Sequence, residues 1–432
     1  MKITLVNNRW SGHNPYHIRE LSLIFLSFPG IFLSVYCVEP DILKQEIYNV
    51  LGTSNSRITF HKILLPDNIL KNKTLLSYRN YSKKLWINIA NQIYSDDLQR
   101  PNHQHLVFFG WLDDYLAPLL YHMPDNSIKW NWSGIYFHPS FYVPYKTSLL
   151  FKNNFSSSFI YKIQRFLTYP YRKIKGFLHL PYNLLFHNSC SSICVLNEHL
   201  ETKMNNVLNK PVITIPDFTN SDIDTNYFHI NNIHSLSKGK KIVGLIGGQS
   251  NRKSFDILLQ ASQILSNNYY FIFAGPYHDD FSSSVSAYNN SIINNKPANC
   301  YFLLERIPDE SQFNSILNCC DIIFASYRIF PNSSNIMTKA AVFKKPIIVS
   351  EGHLMAERTR KYGLGEIIPE GDVNACVRAI EKLASTEGYN SWLSNSRCEE
   401  YAEQHSHHKL KDALRKVLQA AGYNEDNESI AY

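Results

Sequence analysis

The chain has 432 residues, 44% of them apolar and 18% charged; this is the composition of a folded globular protein and excludes a disordered one, and the length calls for two domains of roughly 150 to 220 residues. Lys and Arg exceed Asp and Glu by 43 − 36 = +7, a mild excess that suits anionic ligands or an anionic surface. A nucleic-acid binder concentrates its charge in one basic stripe, whereas here the bias is regional, so no nucleic acid is expected as a partner.

The first predicted strand, Lys2–Val6, runs into polar "NNRWSGHN" rather than the apolar core of a secretory signal. Residues 21–38, "LSLIFLSFPGIFLSVYCV", carry no charge, but Pro29-Gly30 divides them into a helix end and a buried strand at Ile31–Val38. Each piece is too short to cross a bilayer. Further strands are predicted at His105–Phe109, Gly134–Phe137, Ser192–Leu196 and Val212–Ile215. The expected location is cytoplasmic, with peripheral attachment to the inner face of a membrane left open.

Between Ser127 and Asn197 there is no Asp or Glu, while Lys129, Lys146, Lys152, Lys162, Arg165, Arg172, Lys173 and Lys175 interleave with aromatic residues. Such a stretch, with a basic aromatic helical insertion at about 141–188, suits an anionic membrane surface or a lipid-linked or acidic acceptor. The plain alternative is a helical insertion with a solvated basic face.

The second half is more regular. Apolar runs at Lys241–Ile246, Tyr269–Ala274, Cys300–Leu304, Asp321–Ala325, Pro346–Val349 and Glu366–Ile368 are each followed by a segment of helical period. Repeated strand and helix with short connections predicts a parallel sheet covered on both faces. The expected domains are 1–216, 217–390, and a helical tail at 391–432 packing back on the first. Ligands in such sheets sit at the carboxyl ends of the strands.

After "KIVGLI" come Gly247 and Gly248, which permit close backbone approach, then Arg252 and Lys253 at the start of a helix that Ser254 can cap. Cations are disfavoured at a helix N-terminus by about 0.3–1 kcal/mol each, and a bound diphosphate would reverse that sign. The spacing falls short of a Walker A loop, because Arg252 stands where its second glycine is needed. The eight cysteines (Cys37, Cys190, Cys194, Cys300, Cys319, Cys320, Cys376, Cys398) show no paired zinc spacing; buried free thiols are expected, and neither a metal nor a cofactor.

Four pieces in order, "RKSFDILLQAS", "YYFIFAG", "NCYFLLERIPDESQFNSILNCCDIIFASY" and "PNSSNIMTKAAVFKKPIIVSEG...YGLGEIIPEGDVNACVRAIEKL", resemble the GT-B glycosyltransferases, specifically family 4. In the first half only "SGHNPYHIREL", "WSGIYFHP" and "SSICVLNE...PVITIPD" add to this. The resemblance implies an α/β GT-B fold of two Rossmann-like domains with parallel sheets facing across a cleft. It implies metal-independent, retaining transfer of a sugar from a UDP- or GDP-sugar donor to a glycan or lipid-linked acceptor. The donor-side residues it implies are Gly248, Arg252, Lys253, Arg306, Ile307, Ser333, Ser334, Asn335, Ile336 and Lys339. His13 and His138 are the implied catalytic contacts, with Gly12 on the acceptor side. Asp113 and Asp114, at the strand end after "HLVFFGWL", are read from their position as acceptor-side residues that orient a hydroxyl, with a helix cap and first-turn carboxylate as the plain alternative.

The departures are specific. Where the family places an arginine five residues before the lysine, this chain has Gly248, and at the family's two glutamates it has Pro331 and Lys339. Two further readings therefore stand beside transfer: a non-catalytic GT-B binding or assembly protein, and a GT-B sugar-nucleotide epimerase, which would need carboxylates that the second domain scarcely offers.

Overall fold

A computed structural model describes residues 1–10, 12–66, 75–97, 104–116, 130–138 and 185–425. Most of the basic aromatic run and its insertion lie outside the described residues, with all eight of its lysines and arginines named above. The described residues form two compact units, one from 1–138, 185–216 and 408–425, the other from 217–407.

The first unit is built on strands β1 (Lys2–Asn7), β2 (Phe32–Cys37), β3 (Ile58–Lys62), β4 (His105–Phe109), β5 (Asn131–Tyr136), β6 (Ile193–Val195) and β7 (Val212–Thr214). They pair in parallel in the order β3-β2-β1-β4-β5-β6-β7. In β1, five of six side chains are buried, as expected when helices cover both faces. β3 is the strand that sequence periodicity missed: "ITFHK" is an edge strand with one buried residue, Ile58, so its apolar signal is weak.

The second unit carries β8 (Lys241–Ile246), β9 (Tyr269–Ala274), β10 (Cys300–Leu303), β11 (Ile322–Ala325), β12 (Ile347–Ser350) and β13 (Gly365–Ile368). All are parallel, in the order β10-β9-β8-β11-β12-β13. Their continuous apolar runs feed one core of aliphatic and aromatic residues, which is why these strands were readable from the sequence. The fold is thus α/β with two helix-covered parallel sheets.

The expected tail divides at 407/408. Trp392 and Tyr401 are 7% and 0% exposed in the second unit's core, so the helices Thr386–Asn395 and Cys398–Gln404 stay with it. Residues 408–425 belong to the first unit, where Lys411 and Arg415 lie over the Phe28 ring at 5.3 and 5.5 Å. Tyr423 Oη donates to the Pro29 carbonyl at 2.7 Å. Among the described residues no helix is long and apolar enough to cross a membrane.

Candidate functional site

In each sheet the chain begins at a central strand, builds outward to one side, then returns to the other. The order reverses between β1 and β4 in the first unit and between β8 and β11 in the second. A reversal leaves a crevice at the strands' carboxyl ends, because the helices on its two sides diverge to opposite faces. Arg252 and Lys253 follow β8 at one of these points, and Asp113, Asp114 and His138 follow β4 and β5 at the other.

In the second unit, the turn Asn251–Lys253 follows β8. Arg252 is exposed and its guanidinium lies 5.1 Å from the Phe330 ring centroid and 5.5 Å from that of Tyr327. The Lys253 ammonium sits 5.4 Å from the same Tyr327 ring and 3.5 Å from the Ile246 carbonyl. Gly247, at φ +101°, makes room for it: a Cβ there would lie 2.4 Å from Lys253 Nζ. Gly275 is required for a similar reason, since its Cβ would meet the Gly247 carbonyl oxygen at 2.4 Å. Among the described residues neither cation forms an ion pair; aromatic faces and a carbonyl are their only neighbours of note. Two adjacent cations without a counter-charge leave a local positive potential at this strand end. Gly248 faces the His278 ring, whose Nε2 would be 3.2 Å from an added Cβ.

Ser254 does not cap the helix Phe255–Ile264. It is left-handed at φ +55°, and its buried hydroxyl accepts nothing from the helix start. The preceding turn rather than a side chain sets the entry into this helix.

After β11 the chain passes through Arg328 to Ser334 and enters the helix Asn335–Val342 at Ser334, which makes no side-chain cap. Ser333 is committed elsewhere: its Oγ donates to Asp217 Oδ2 at 2.9 Å and accepts from Arg358 Nη1 at 2.6 Å. Asn335 Nδ2 donates to the Phe218 carbonyl. The uncapped helix start therefore keeps its first N–H groups clear of side-chain oxygens from Ser333 and Ser334.

Lys339 does not face that opening. Its side chain is 0% exposed, and its ammonium donates to Thr219 Oγ1 at 2.8 Å, Asn314 Oδ1 at 2.6 Å and the Glu310 carboxylate. An ammonium has three donors, and these partners take them, so the sequence expectation of a phosphate contact is corrected. Burial pushes its pKa down, with Glu310 opposing. Ile307 and Ile336 are 9% and 5% exposed and belong to the core, while Arg306 stands exposed after β10.

The first unit's reversal gathers Asn8, Arg9, Trp111, Asp113, Asp114, Phe137 and His138. Asp113 accepts the backbone N–H groups of Phe137 and His138 at 2.9 and 2.8 Å, and its Oδ1 lies 3.0 Å from His138 Nδ1. The histidine side chain is 50% exposed. Asp114 is turned inward, 8% exposed, and holds Arg9 through Nε at 2.8 Å and Nη2 at 2.6 Å, with Asn8 Nδ2 at 2.8 Å. Arg9 lies 4.3 Å over the Trp111 ring, which stacks on Phe137 at 4.2 Å and 16°. The helix Leu75–Asp97 fixes this turn from behind: Ser82 Oγ and Trp86 Nε1 donate to the carbonyls of Asp114 and Tyr115 at 2.6 and 2.8 Å. Thus Asp113 steers His138, whereas Asp114 anchors Arg9. Neither aspartate caps the short turn Leu112–Asp114.

Gly12, at φ +61° with open space around it, leads into the helix Asn14–Leu26, and His13 occupies its N-cap position without a side-chain cap. Among the described residues no three His, Cys, Asp or Glu side chains gather as a metal site would need.

Sequence reasoning missed Arg9, Arg328, Glu370 and the Trp111–Phe137 stack. For Arg328 a signal existed in Asp256, a first-turn carboxylate inside an otherwise apolar helix face. Nothing local marked the others, because their partners lie 105 residues away for Arg9 and 41 for Glu370 with Ile329.

No protein-family model and no curated protein matches this chain. Solved structures do. It is similar to sucrose-phosphate synthase from Thermosynechococcus elongatus, with a TM-score of 0.62 at 10% identity over 97% of this chain and 98% of that one. It is also similar to Anabaena HepE, solved with UDP and glucose, with a TM-score of 0.62 at 10% identity over 97% of this chain and 100% of that one. For WaaG, described as a glycosyltransferase involved in lipopolysaccharide biosynthesis, the TM-score is 0.55 at 12% identity over 96% and 98%. At such identities the likeness is one of fold, the two-sheet α/β GT-B architecture.

Proposed function

We propose that this chain is a glycosyltransferase that takes a sugar from a nucleoside-diphosphate donor and transfers it, with retention, to a glycan or lipid-linked acceptor. The observation that carries the reading is the uncompensated pair Arg252 and Lys253 at the β8–β11 reversal, packed on rings of the loop that leads into an uncapped helix start. When the anomeric C–O bond breaks, negative charge accumulates on the departing diphosphate, and preorganised cations and N–H groups stabilise it there. HepE's complex with UDP favours UDP over GDP as the carrier. His138, held through Nδ1 by Asp113, keeps Nε2 for a sugar or acceptor hydroxyl.

The basic aromatic run at 127–197 favours an acceptor at an anionic membrane surface. Sedimentation with anionic vesicles that weakens as salt rises from about 0.1 to 0.5 M is the expected behaviour. If the protein stays in solution with such vesicles at low salt, the membrane location fails.

A second reading, donor binding without transfer, is favoured by the helix Asn335–Val342, which carries no carboxylate and turns Lys339 inward. Incubation with a panel of UDP- and GDP-sugars, followed by measurement of released nucleotide, separates the two. Release with one sugar supports transfer, and binding without release supports the second reading. Absence of binding removes both.

A further inference from the structure

The cation-bearing turn and the loop after β11 come from segments some 75 residues apart, and one side chain joins them. Arg328 donates its backbone N–H to the Arg252 carbonyl at 2.7 Å. Its guanidinium grips both carboxylate oxygens of Asp256 at 2.8 Å, and Nη1 also donates to the carbonyl of Asn251 at 3.1 Å and to its side-chain oxygen. We propose that Arg328 is a positioning residue for the diphosphate site: through Asn251, Arg252 and Asp256 it sets the direction in which Arg252 and Lys253 point. This role rests on the donor site proposed above.

The surroundings of Arg328 fit that task. Its neighbours Tyr327 and Phe330 supply the ring faces that lie under the two cations. The Arg328 guanidinium is turned to Asp256 and Asn251, 14% exposed against an Asp256 that is 8% exposed, so it acts through the protein and is not offered as a phosphate ligand. On its far side Ile329 is held at φ +48°, and its N–H donates to Glu370 Oε1 at 3.2 Å, an oxygen 2.9 Å from His353 Nε2. A β-branched residue keeps such a conformation only where its surroundings over-determine it. The loop is therefore pinned from both sides while its ring faces carry the cations. The planar guanidinium fork can serve the carboxylate with two parallel bonds and the Asn251 oxygens together, whereas a lysine ammonium is a point charge without that geometry.

The test compares Arg328→Lys and Asp256→Asn with the wild-type chain in titrations with UDP, GDP and uridine, alongside thermal melts. Both variants are expected to weaken nucleoside-diphosphate binding about tenfold or more and to leave uridine binding within about twofold, measured at a temperature where each is fully folded; because the pair is largely enclosed, both melt below wild type. A charge exchange, Arg328→Asp with Asp256→Arg, is expected to recover part of the loss. Wild-type diphosphate affinity in both single variants, or equal loss of uridine and diphosphate, overturns the positioning role. Lys253→Ala, run in parallel, distinguishes the two levels. If it weakens UDP while Arg328→Lys does not, only the positioning role falls. If it leaves UDP and GDP binding intact, or if the wild type binds neither, the donor site falls with it. Should Arg328→Lys fail to fold, the milder Asp256→Asn decides by the same criteria.

Discussion

The Asp113 carboxylate meets His138 twice, accepting its backbone N–H at 2.8 Å and lying 3.0 Å from the ring Nδ1, and it accepts the backbone N–H of Phe137 at 2.9 Å as well. Three contacts fix both the end of β5 and the ring's orientation. Asp113→Asn keeps the shape but puts an amide donor where an acceptor is needed. Transfer is expected to fall about tenfold in Asp113→Asn and about a hundredfold in His138→Ala, with UDP affinity unchanged in both. Parallel loss of UDP affinity would place this pair in nucleotide binding instead.

If Arg252 and Lys253 hold the diphosphate as proposed, Arg252→Ala and Lys253→Ala each remove charge-assisted contacts worth about 1–3 kcal/mol, or roughly 5- to 150-fold in affinity. Calorimetric titration with UDP should register that loss in each variant. Among the described residues neither cation forms an ion pair, so melting temperatures should be preserved. Unchanged titrations in both would leave the diphosphate without its proposed ligands.

The two-sheet architecture was legible because it rests on local patterns: β8, β9 and β4 match the apolar runs residue for residue. The basic turn at Arg252 and Lys253 was legible for the same reason, being a short motif at a strand end. The direction of a side chain was not. Lys339 lies one turn into its helix, and sequence cannot tell that Glu310, Asn314 and Thr219 wait on the inner side. Likewise the polar seam at 332–335 reads as helix capping, yet Ser333 is drawn away by Asp217 and Arg358, residues from two other segments.

Ile329 adopts φ +48°, a region that costs a non-glycine residue about 1–2 kcal/mol. Glycine removes that cost but adds about 0.5–1 kcal/mol of backbone entropy lost on folding. Ile329→Gly should therefore melt within a few degrees of wild type, although it deletes a half-buried side chain. A drop of ten degrees would mean that the packing of Ile329, not its backbone, is what the loop depends on.

Alkaline solution should destabilise the protein. Burial raises the thiols of Cys37 and Cys190 to about 12 and that of Cys300 to about 11, from an ordinary value of 9.0. Above pH 9 the unfolded thiols ionise while the folded ones stay protonated, so the folded state binds more protons and stability falls as pH rises. Each such thiol contributes up to about 1.4 kcal/mol per pH unit within its window. Lys339, whose pKa is lowered, acts in the opposite direction, but it is one group against several. Melting temperature is expected to decline steadily from pH 9 to 11; a flat or rising profile would show that these thiols are open to solvent.

Lys339, on the helix Asn335–Val342, and Glu310, on the helix Glu310–Cys319, form an enclosed pair, 0% and 12% exposed. Removing one member of a buried pair strands the other charge and costs about 3–5 kcal/mol, whereas replacing both by apolar or neutral groups of similar shape costs far less. Lys339→Met should thus lower the melting temperature markedly, and Lys339→Met with Glu310→Gln should restore much of it. Thr219 joins this network from the segment that opens the second unit, so the lysine ties the helix Asn335–Val342 to that segment and to the helix Glu310–Cys319. UDP titrations of the double variant, at a temperature where it is fully folded, should match wild type within about threefold. The decisive outcome is a split between the two measurements. Should the double variant melt like wild type yet bind UDP tenfold more weakly, Lys339 would be reaching the nucleotide after all, and the inward network would be a resting arrangement rather than its function.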